Sequence, residues 1–473
     1  MKISCELLPH QLAAANKLKG LKVGALFMEM GTGKTVTAME LIRQRHRKIS
    51  KVVYLAPVNL LHSVRSEFAR HSPETAVCQL DGSTKEELLK AFVYLVGIES
   101  IAQSDRIYLA CNDLIDEKTC VILDESDTCK NHAALRTMRI TTMGARAKYR
   151  FALTGTAVGE GIVDLFAQMK FLSPKILGYS SFYSFAANHL EYSENYPGMI
   201  VRSLKTDHIA KKIEPYVYQV TKAECLKVPP KIYRSHAFAM TDRQREIYQW
   251  AKEDILLNCP DDEIDSYTIF RLFTALREIV SGFWNQTPHP ESWRCKKNLR
   301  EPVLHTCDHG RLDALEETIS AFPCDSKIII WANFQYCAKQ IIERLTEVYG
   351  SDVLATYTGE TQDREQEIDR WRGPARLLVA SPKVGGRGLT LNESNAVIFY
   401  NNDFPYRLRA QAEDRCHRIG QGESPTYVDL VTGGIDERIV QALAKKQSLA
   451  QEFRREVEKI KDTKSKRAKL FEI

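Results

Sequence analysis

The sequence predicts an α/β protein built from two parallel-sheet units, and three observations predict it. Its 473 residues are about three times the ~150 of an average domain, so at least two packed domains are expected. Short β-rich runs alternate with amphipathic stretches from Val23 onward, and the same rhythm returns after Ser326. Most of these runs are apolar throughout, the pattern of strands covered on both faces of a parallel sheet. An apolar share of 44% and a charged share of 27% exclude a disordered chain, a collagen-like fibre and a small stapled scaffold. No stretch approaches the ~20 apolar residues that span a bilayer, and Met1 to Gln11 lacks the apolar core of a signal peptide. An intracellular, cytoplasmic protein is expected. The formal charge of +6 permits nucleic-acid binding without arguing for it.

In the first unit the expected strands are Val23–Met28, Val52–Ala56, Phe92–Val96, Thr119–Leu123 and Tyr149–Leu153, with helices over Lys34–Arg47 and Asn59–His71. In the second they are Lys327–Ala332, Val353–Tyr357, Leu377–Ala380, Ala396–Tyr400 and Thr426–Leu430. The region between, about Gly161 to Asp308, is aromatic-rich and helical in pattern over Ser180–His189, Asp242–Asn258 and Tyr267–Val280. Trp284, Pro288, Pro290, Trp293 and Pro302 make Gly282–Pro302 a loop or hairpin. From Gly434 the chain reads as a long helix ending in Lys459, Lys461, Lys464, Lys466, Arg467 and Lys469. That end is a solvated helix terminus or a nucleic-acid contact.

The twelve cysteines read as reduced thiols, several (Cys78, Cys120, Cys337) inside apolar runs. Cys295, His305, Cys307 and His309, with His289 upstream, could ligate zinc. Structural zinc sites bring close pairs on both sides, however, and Cys295 stands alone, so a polar surface excursion is expected.

Three constellations carry chemistry. Met28-Glu29-Met30-Gly31-Thr32-Gly33-Lys34-Thr35 follows a strand and opens a helix, the context of a phosphate-binding loop. Glycines let backbone N–H groups turn toward phosphate oxygens, and the helix N-terminus adds its positive end. Lys34 would reach the β- and γ-phosphates and the Thr35 hydroxyl would ligate Mg²⁺. The strict pattern has Gly where Met28 stands, so the match is to a relaxed version. Next, Thr119–Leu123 runs into Asp124-Glu125-Ser126-Asp127. A carboxylate at the end of a parallel strand lies beside such a loop, so Asp124 can hold Mg²⁺ and Glu125 can position or deprotonate the attacking water. Finally, Gln411-Ala412-Glu413-Asp414-Arg415-Cys416-His417-Arg418-Ile419-Gly420-Gln421 places Gln411, Arg415 and Arg418 on one face if helical, with two guanidinium groups able to clamp phosphates.

Together these residues resemble the Swi/Snf (sucrose-nonfermenting) type of helicase-like ATPase of superfamily two. Gln411–Gln421 is similar to that family's sixth motif, which commonly ends H-R-I-G-Q as here. Leu8-Pro9-His10-Gln11 resembles its adenine-reading segment, with Gln11 at the matching position, and Tyr54–Asn59 resembles motif Ia. Leu153-Thr154-Gly155-Thr156-Ala157 resembles the coupling motif, which implies that role for Thr154 and Thr156. Lys327–Phe334 and Tyr357–Trp371 resemble the fourth-motif region, and Ser381–Leu391 the fifth. Departures are Asp127, where many members have His, Ala157 for Pro and Pro382 for Thr.

The resemblance implies two RecA-like lobes, 1–225 and 226–473, with helical insertions at about 161–213 and 240–282, a loop or hairpin at 282–308 and a C-terminal helix over 434–470. ATP and Mg²⁺ would bind between the lobes, engaging Gln11, Met30, Gly31, Thr32, Gly33, Lys34 and Thr35, with Asp124, Glu125, Gln411, Arg415 and Arg418 catalytic. Lys383 and Arg387 are candidate contacts to double-stranded DNA. The activity implied is an ATP-driven duplex-DNA translocase, in the minimal two-lobe form carried by bacteria and their viruses. The alternatives are a strand-separating DNA or RNA helicase and a nucleotide-gated DNA-binding module with little turnover.

Overall fold

In the computed structural model of the chain, the described residues are 1–82, 90–155, 161–192, 200–226, 228–257, 266–286, 303–385, 389, 391–418 and 420–445. The chain divides into two units at Val228–Pro229. The first holds β1 (Val23–Met28), β2 (Lys51–Ala56), β3 (Val77–Leu80), β4 (Val93–Gly97), β5 (Thr119–Leu123), β6 (Tyr149–Thr154), β7 (Leu190–Tyr192), β8 (Ile200–Ser203) and β9 (Val217–Val220). Seven of these form one sheet in the order β3-β4-β2-β5-β6-β1-β9, with every pairing parallel.

Alternate residues of these strands feed two cores, as the period of two demands. Val23, Ala25, Phe27, Val53, Leu55, Val121 and Leu123 face one layer of helices. Leu26, Met28, Val52, Tyr54, Cys120, Ile122 and Leu153 face the other, which contains helix Lys34–Arg43 through Ala38, Met39, Leu41 and Ile42. Burial on both faces explains why the sequence reads as unbroken apolar runs.

The second unit holds β10 (Ile232–Ala237), β11 (Phe283–Gln286), β12 (Val303–Thr306), β13 (Ile328–Trp331), β14 (Leu354–Tyr357), β15 (Leu377–Ala380), β16 (Ala396–Phe399) and β17 (Thr426–Val431). Six form a parallel sheet ordered β10-β17-β16-β13-β15-β14. Helices Asp242–Leu257, Ser266–Val280 and Ile435–Ala444 pack together on a separate core with Phe404. Arg311, fully buried, ties the parts: it pairs with Asp436 and donates to the carbonyls of Val280 (3.1 Å) and Leu430 (3.2 Å).

Several elements depart from the sequence reading. The edge strands β3, β9 and β10 were not expected; β10 is almost wholly exposed and β3 half-buried, so neither carries an apolar run. The helical pattern of 161–213 contains the antiparallel pair β7–β8 between helices Phe182–His189 and Thr206–Ile213. The stretch after Gly282 is a hairpin, with β11 antiparallel to β12. From Gly434 the described helix is Ile435–Ala444, and the remainder of the expected C-terminal helix, with its lysines, lies outside the described residues. Of the weighed zinc ligands, His305 stacks on Trp284 at 5.1 Å, while Cys295 and His289 lie outside the described residues. Among the described residues no helix is long and apolar enough to cross a membrane.

Candidate nucleotide site

β1 ends at Met28 and the chain turns through Gly31 (φ 80°) and Gly33 (φ 84°) into helix Lys34–Arg43. Both glycines sit in the left-handed region that side chains resist. A Cβ at Gly33 would also lie 2.1 Å from the Gln11 amide nitrogen, so a side chain there would displace the Gln11 amide from the Thr32 carbonyl. Thr32, fully buried, closes the turn: its N–H and hydroxyl both donate to the Glu29 carbonyl, at 3.3 and 2.7 Å. Its carbonyl accepts from His10 Nε2 (2.8 Å) and Gln11 Nε2 (3.1 Å). The loop is therefore pinned from outside by helix Pro9–Leu18. Gln11 Oε1 accepts from the Leu8 N–H at 2.9 Å, which fixes the side chain against the loop. Lys34 Nζ donates to the Met28 carbonyl at 3.2 Å and is folded back over the turn.

The first turn of helix Lys34–Arg43 has no side-chain cap, since Gly33 stands at the capping position. Its leading N–H groups thus have no intrahelical acceptor, and they point where an anion would sit.

Asp124 and Glu125 follow β5. The Asp124 N–H donates to the Leu55 carbonyl (2.8 Å), which continues the β2–β5 ladder one step and fixes the carboxylate at the sheet's C-terminal edge. Asp124 Oδ1 accepts from the Glu125 N–H and Oδ2 from the Tyr54 hydroxyl, each at 2.9 Å. Burial, then the neighbouring Glu125 carboxylate, push Asp124 up to about 6, against the pull of Lys34 and the Tyr54 hydroxyl. Burial and Asp124 drive the Tyr54 phenol well above its usual value, so it stays protonated and donates.

Glu125 adopts a left-handed conformation (φ 46°, ψ 51°), a strained choice for a non-glycine that costs ~1–3 kcal/mol. Its Oε2 is buried and accepts no hydrogen bond. An orphaned carboxylate oxygen next to Asp124, on whose charge Lys34 acts, is a donor set suited to a divalent cation and a water. Thr154, fully buried, ends β6. The next residue, Gly155, touches the loop: a Cβ there would lie 3.1 Å from Met30 Cγ and 3.5 Å from Lys34 Nζ. Thr156 lies outside the described residues.

In the second unit, helix Tyr406–Glu413 carries Gln411, which is fully buried, but it stops before both arginines. The expected single helical face for Gln411, Arg415 and Arg418 is corrected: residues 414–418 are turns and bends. The reason is competition for the backbone. The Arg415 carbonyl accepts from the Leu391 N–H at 3.0 Å, a bond that a continuing helix would have used internally. His417 Nε2 donates instead to the Pro229 carbonyl at 2.8 Å. The turn still brings the two guanidinium groups together, because both Nη1 atoms donate to the Leu389 carbonyl, at 3.0 Å from Arg415 and 3.1 Å from Arg418. Lys383 is exposed on the short helix Pro382–Gly385, and Arg387 lies outside the described residues.

The SNF2-related domain family matches residues 15–282, more than half of the chain. The chain belongs to this family of helicase-like ATPases. The helicase conserved C-terminal domain matches residues 310–420, so both halves of a superfamily-two core are accounted for. Among relatives, an uncharacterized ATP-dependent helicase of Mycoplasma genitalium is 24% identical over 439 residues, covering 90% of this chain and 40% of the relative. Protein CHROMATIN REMODELING 19 of Arabidopsis thaliana is 23% identical over 527 residues, covering 93% of this chain and 68% of its own length. A solved SWI2/SNF2 ATPase core of Sulfolobus solfataricus in complex with double-stranded DNA is 20% identical, with TM-score 0.44, covering 99% of this chain and 97% of that one. The chain thus spans two fifths of the length of the Mycoplasma relative.

Two residues of this SNF2-related site were not singled out from sequence. His10 grips the loop carbonyl beside Gln11, and its signal was its place in L-P-H-Q. Tyr54 reaches Asp124, and its signal was a phenol inside the apolar run Val52–Ala56.

Proposed function

We propose that this SNF2-related chain is an ATP-driven translocase on double-stranded DNA. The observation that carries the catalytic half is the buried, unpartnered Glu125 Oε2 next to Asp124. The N–H groups opening helix Lys34–Arg43 and the Lys34 ammonium bind the β- and γ-phosphates, and the Gln11 segment holds the loop in shape. Thr35 and Asp124 would hold Mg²⁺, which when bound neutralises charge on the phosphates. Glu125 orients and deprotonates the attacking water, a task for a carboxylate whose oxygen is not already hydrogen-bonded. Arg415 and Arg418 of the second unit supply positive charge to the transferring phosphoryl group, and Gln411 assists them. Gly155 against Met30 and Lys34 offers the neighbouring Thr154 a direct mechanical link to the loop.

The DNA half rests on family membership and on phosphate chemistry. Tracking a duplex needs loop amides and basic side chains such as Lys383 and Arg387, whereas single-strand binding usually adds stacking aromatics. The stretch Ser381–Leu391 contains no aromatic residue. ATPase rates with matched lengths of duplex DNA, single-stranded DNA and RNA at two salt concentrations, alongside displacement of a triplex-forming strand, test the reading. Duplex should stimulate most, with affinity falling steeply with salt. RNA as best activator, or unwinding of a forked duplex without triplex displacement, would favour the helicase reading instead.

A further inference from the structure

We propose that Tyr54 is a positioning residue of the Mg²⁺–nucleotide site, its hydroxyl presetting the Asp124 carboxylate. This rests on the functional reading above, which makes Asp124 a holder of the cation. Tyr54 lies on β2 with its side chain on the sheet face that carries helix Lys34–Arg43. It is fully buried, and the ring meets Phe68 edge-on at 6.1 Å and 90°, so the phenol has one place to go. Its hydroxyl donates to Asp124 Oδ2 at 2.9 Å.

Strand β2 therefore grips Asp124 twice, through the Leu55 carbonyl on its N–H and through Tyr54 on its carboxylate. With Oδ1 held by the Glu125 N–H, neither carboxylate oxygen can rotate away, yet each keeps a lone pair for a cation. An aliphatic residue at this position would fill the core equally well but leave Oδ2 buried without a donor. The hydroxyl is what the packing does not require. Partners of this outer kind orient ligands, and removing one typically weakens metal affinity ~10–100-fold.

The test is Tyr54→Phe in the full chain, titrated with a fluorescent ADP analogue in EDTA and across Mg²⁺ concentrations, with apo Tm measured alongside. Affinity in EDTA should match wild type, while the Mg²⁺ needed for half-maximal binding should rise ~10-fold or more. Mn²⁺ binding followed by electron paramagnetic resonance should weaken in parallel. Tyr54→Met, which also fills the core without a hydroxyl, is measured the same way should the Phe variant fail to fold. An unchanged Mg²⁺ requirement, or equal loss of affinity with and without Mg²⁺, would overturn the proposal and leave Tyr54 a core residue. A wild-type chain whose nucleotide binding ignores Mg²⁺ would instead overturn the functional reading beneath it.

Discussion

Glu413→Ala should destabilise the second unit severely, because this carboxylate closes a buried charge network. Its side chain is 7% exposed, with Oε1 accepting from Arg409 Nε at 2.7 Å. Oε2 accepts from Lys231 Nζ and from the Tyr233 hydroxyl, each at 2.8 Å. Burial alone would raise this carboxyl, yet Arg409 and then Lys231 hold it below the usual range. Breaking a buried pair costs ~3–5 kcal/mol because a charge is stranded. Lys231 retains Asp414 at 3.7 Å and Arg409 retains Asp429, which places the expected loss at the lower end, about 3 kcal/mol. All five tryptophans lie at or beyond residue 250, and Trp331 and Trp371 are fully buried, so intrinsic fluorescence follows the second unit. With a urea slope of ~3 kcal/mol per molar, the midpoint should fall by about 1 M. Asp369→Ala, at a pair 4.0 Å apart with its carboxylate 80% exposed, is the control and should shift it by less than ~0.3 M. A Glu413→Ala shift no larger than the control's would refute the argument.

Three further outcomes follow from the geometry. Arg415→Ala or Arg418→Ala should lower DNA-stimulated kcat at least ~10²-fold with nucleotide affinity nearly unchanged, since these groups belong to the second unit. Unchanged kcat in both would make the turn a surface feature. Gly33→Ala should weaken nucleotide binding strongly in an equilibrium assay, because a side chain at φ 84° strains the turn and displaces the Gln11 amide; binding near wild type would show that the loop can reshape. Asp124, raised to about 6, becomes neutral as pH falls below that value, and a cation needs the carboxylate. Mg²⁺-dependent nucleotide affinity should therefore drop about tenfold per unit below pH 6 and stay level above pH ~7.5. A profile flat down to pH 5 would contradict the shift.

Much of this was legible in the sequence, and the exceptions share physical causes. The central strands announced themselves because burial on both faces leaves no polar alternation, as in Val23–Met28 and Thr119–Leu123. The strand-then-helix context around Lys34 marked the glycine turn that opens helix Lys34–Arg43, and Asp124 fell beside Tyr54 because β5 lies next to β2. The edge strands stayed hidden because β10 is almost wholly exposed and carries no apolar period. The helical spacing of Gln411, Arg415 and Arg418 misled because periodicity does not report where a carbonyl finds a non-helical donor, as Arg415 does in Leu391. Tyr54 escaped notice because a single hydroxyl in an apolar run becomes meaningful only when its neighbour across the sheet is known.

The central claim is that Glu125 activates water for hydrolysis of a nucleotide held by the loop around Lys34. The direct measurement is phosphate release by Glu125→Gln beside wild type, with equilibrium binding of a fluorescent ATP analogue on both. The amide keeps the shape and loses the basicity, so binding should stay within ~3-fold while release falls ~10²–10⁴-fold. Release near the wild-type rate, with binding intact, would contradict the account.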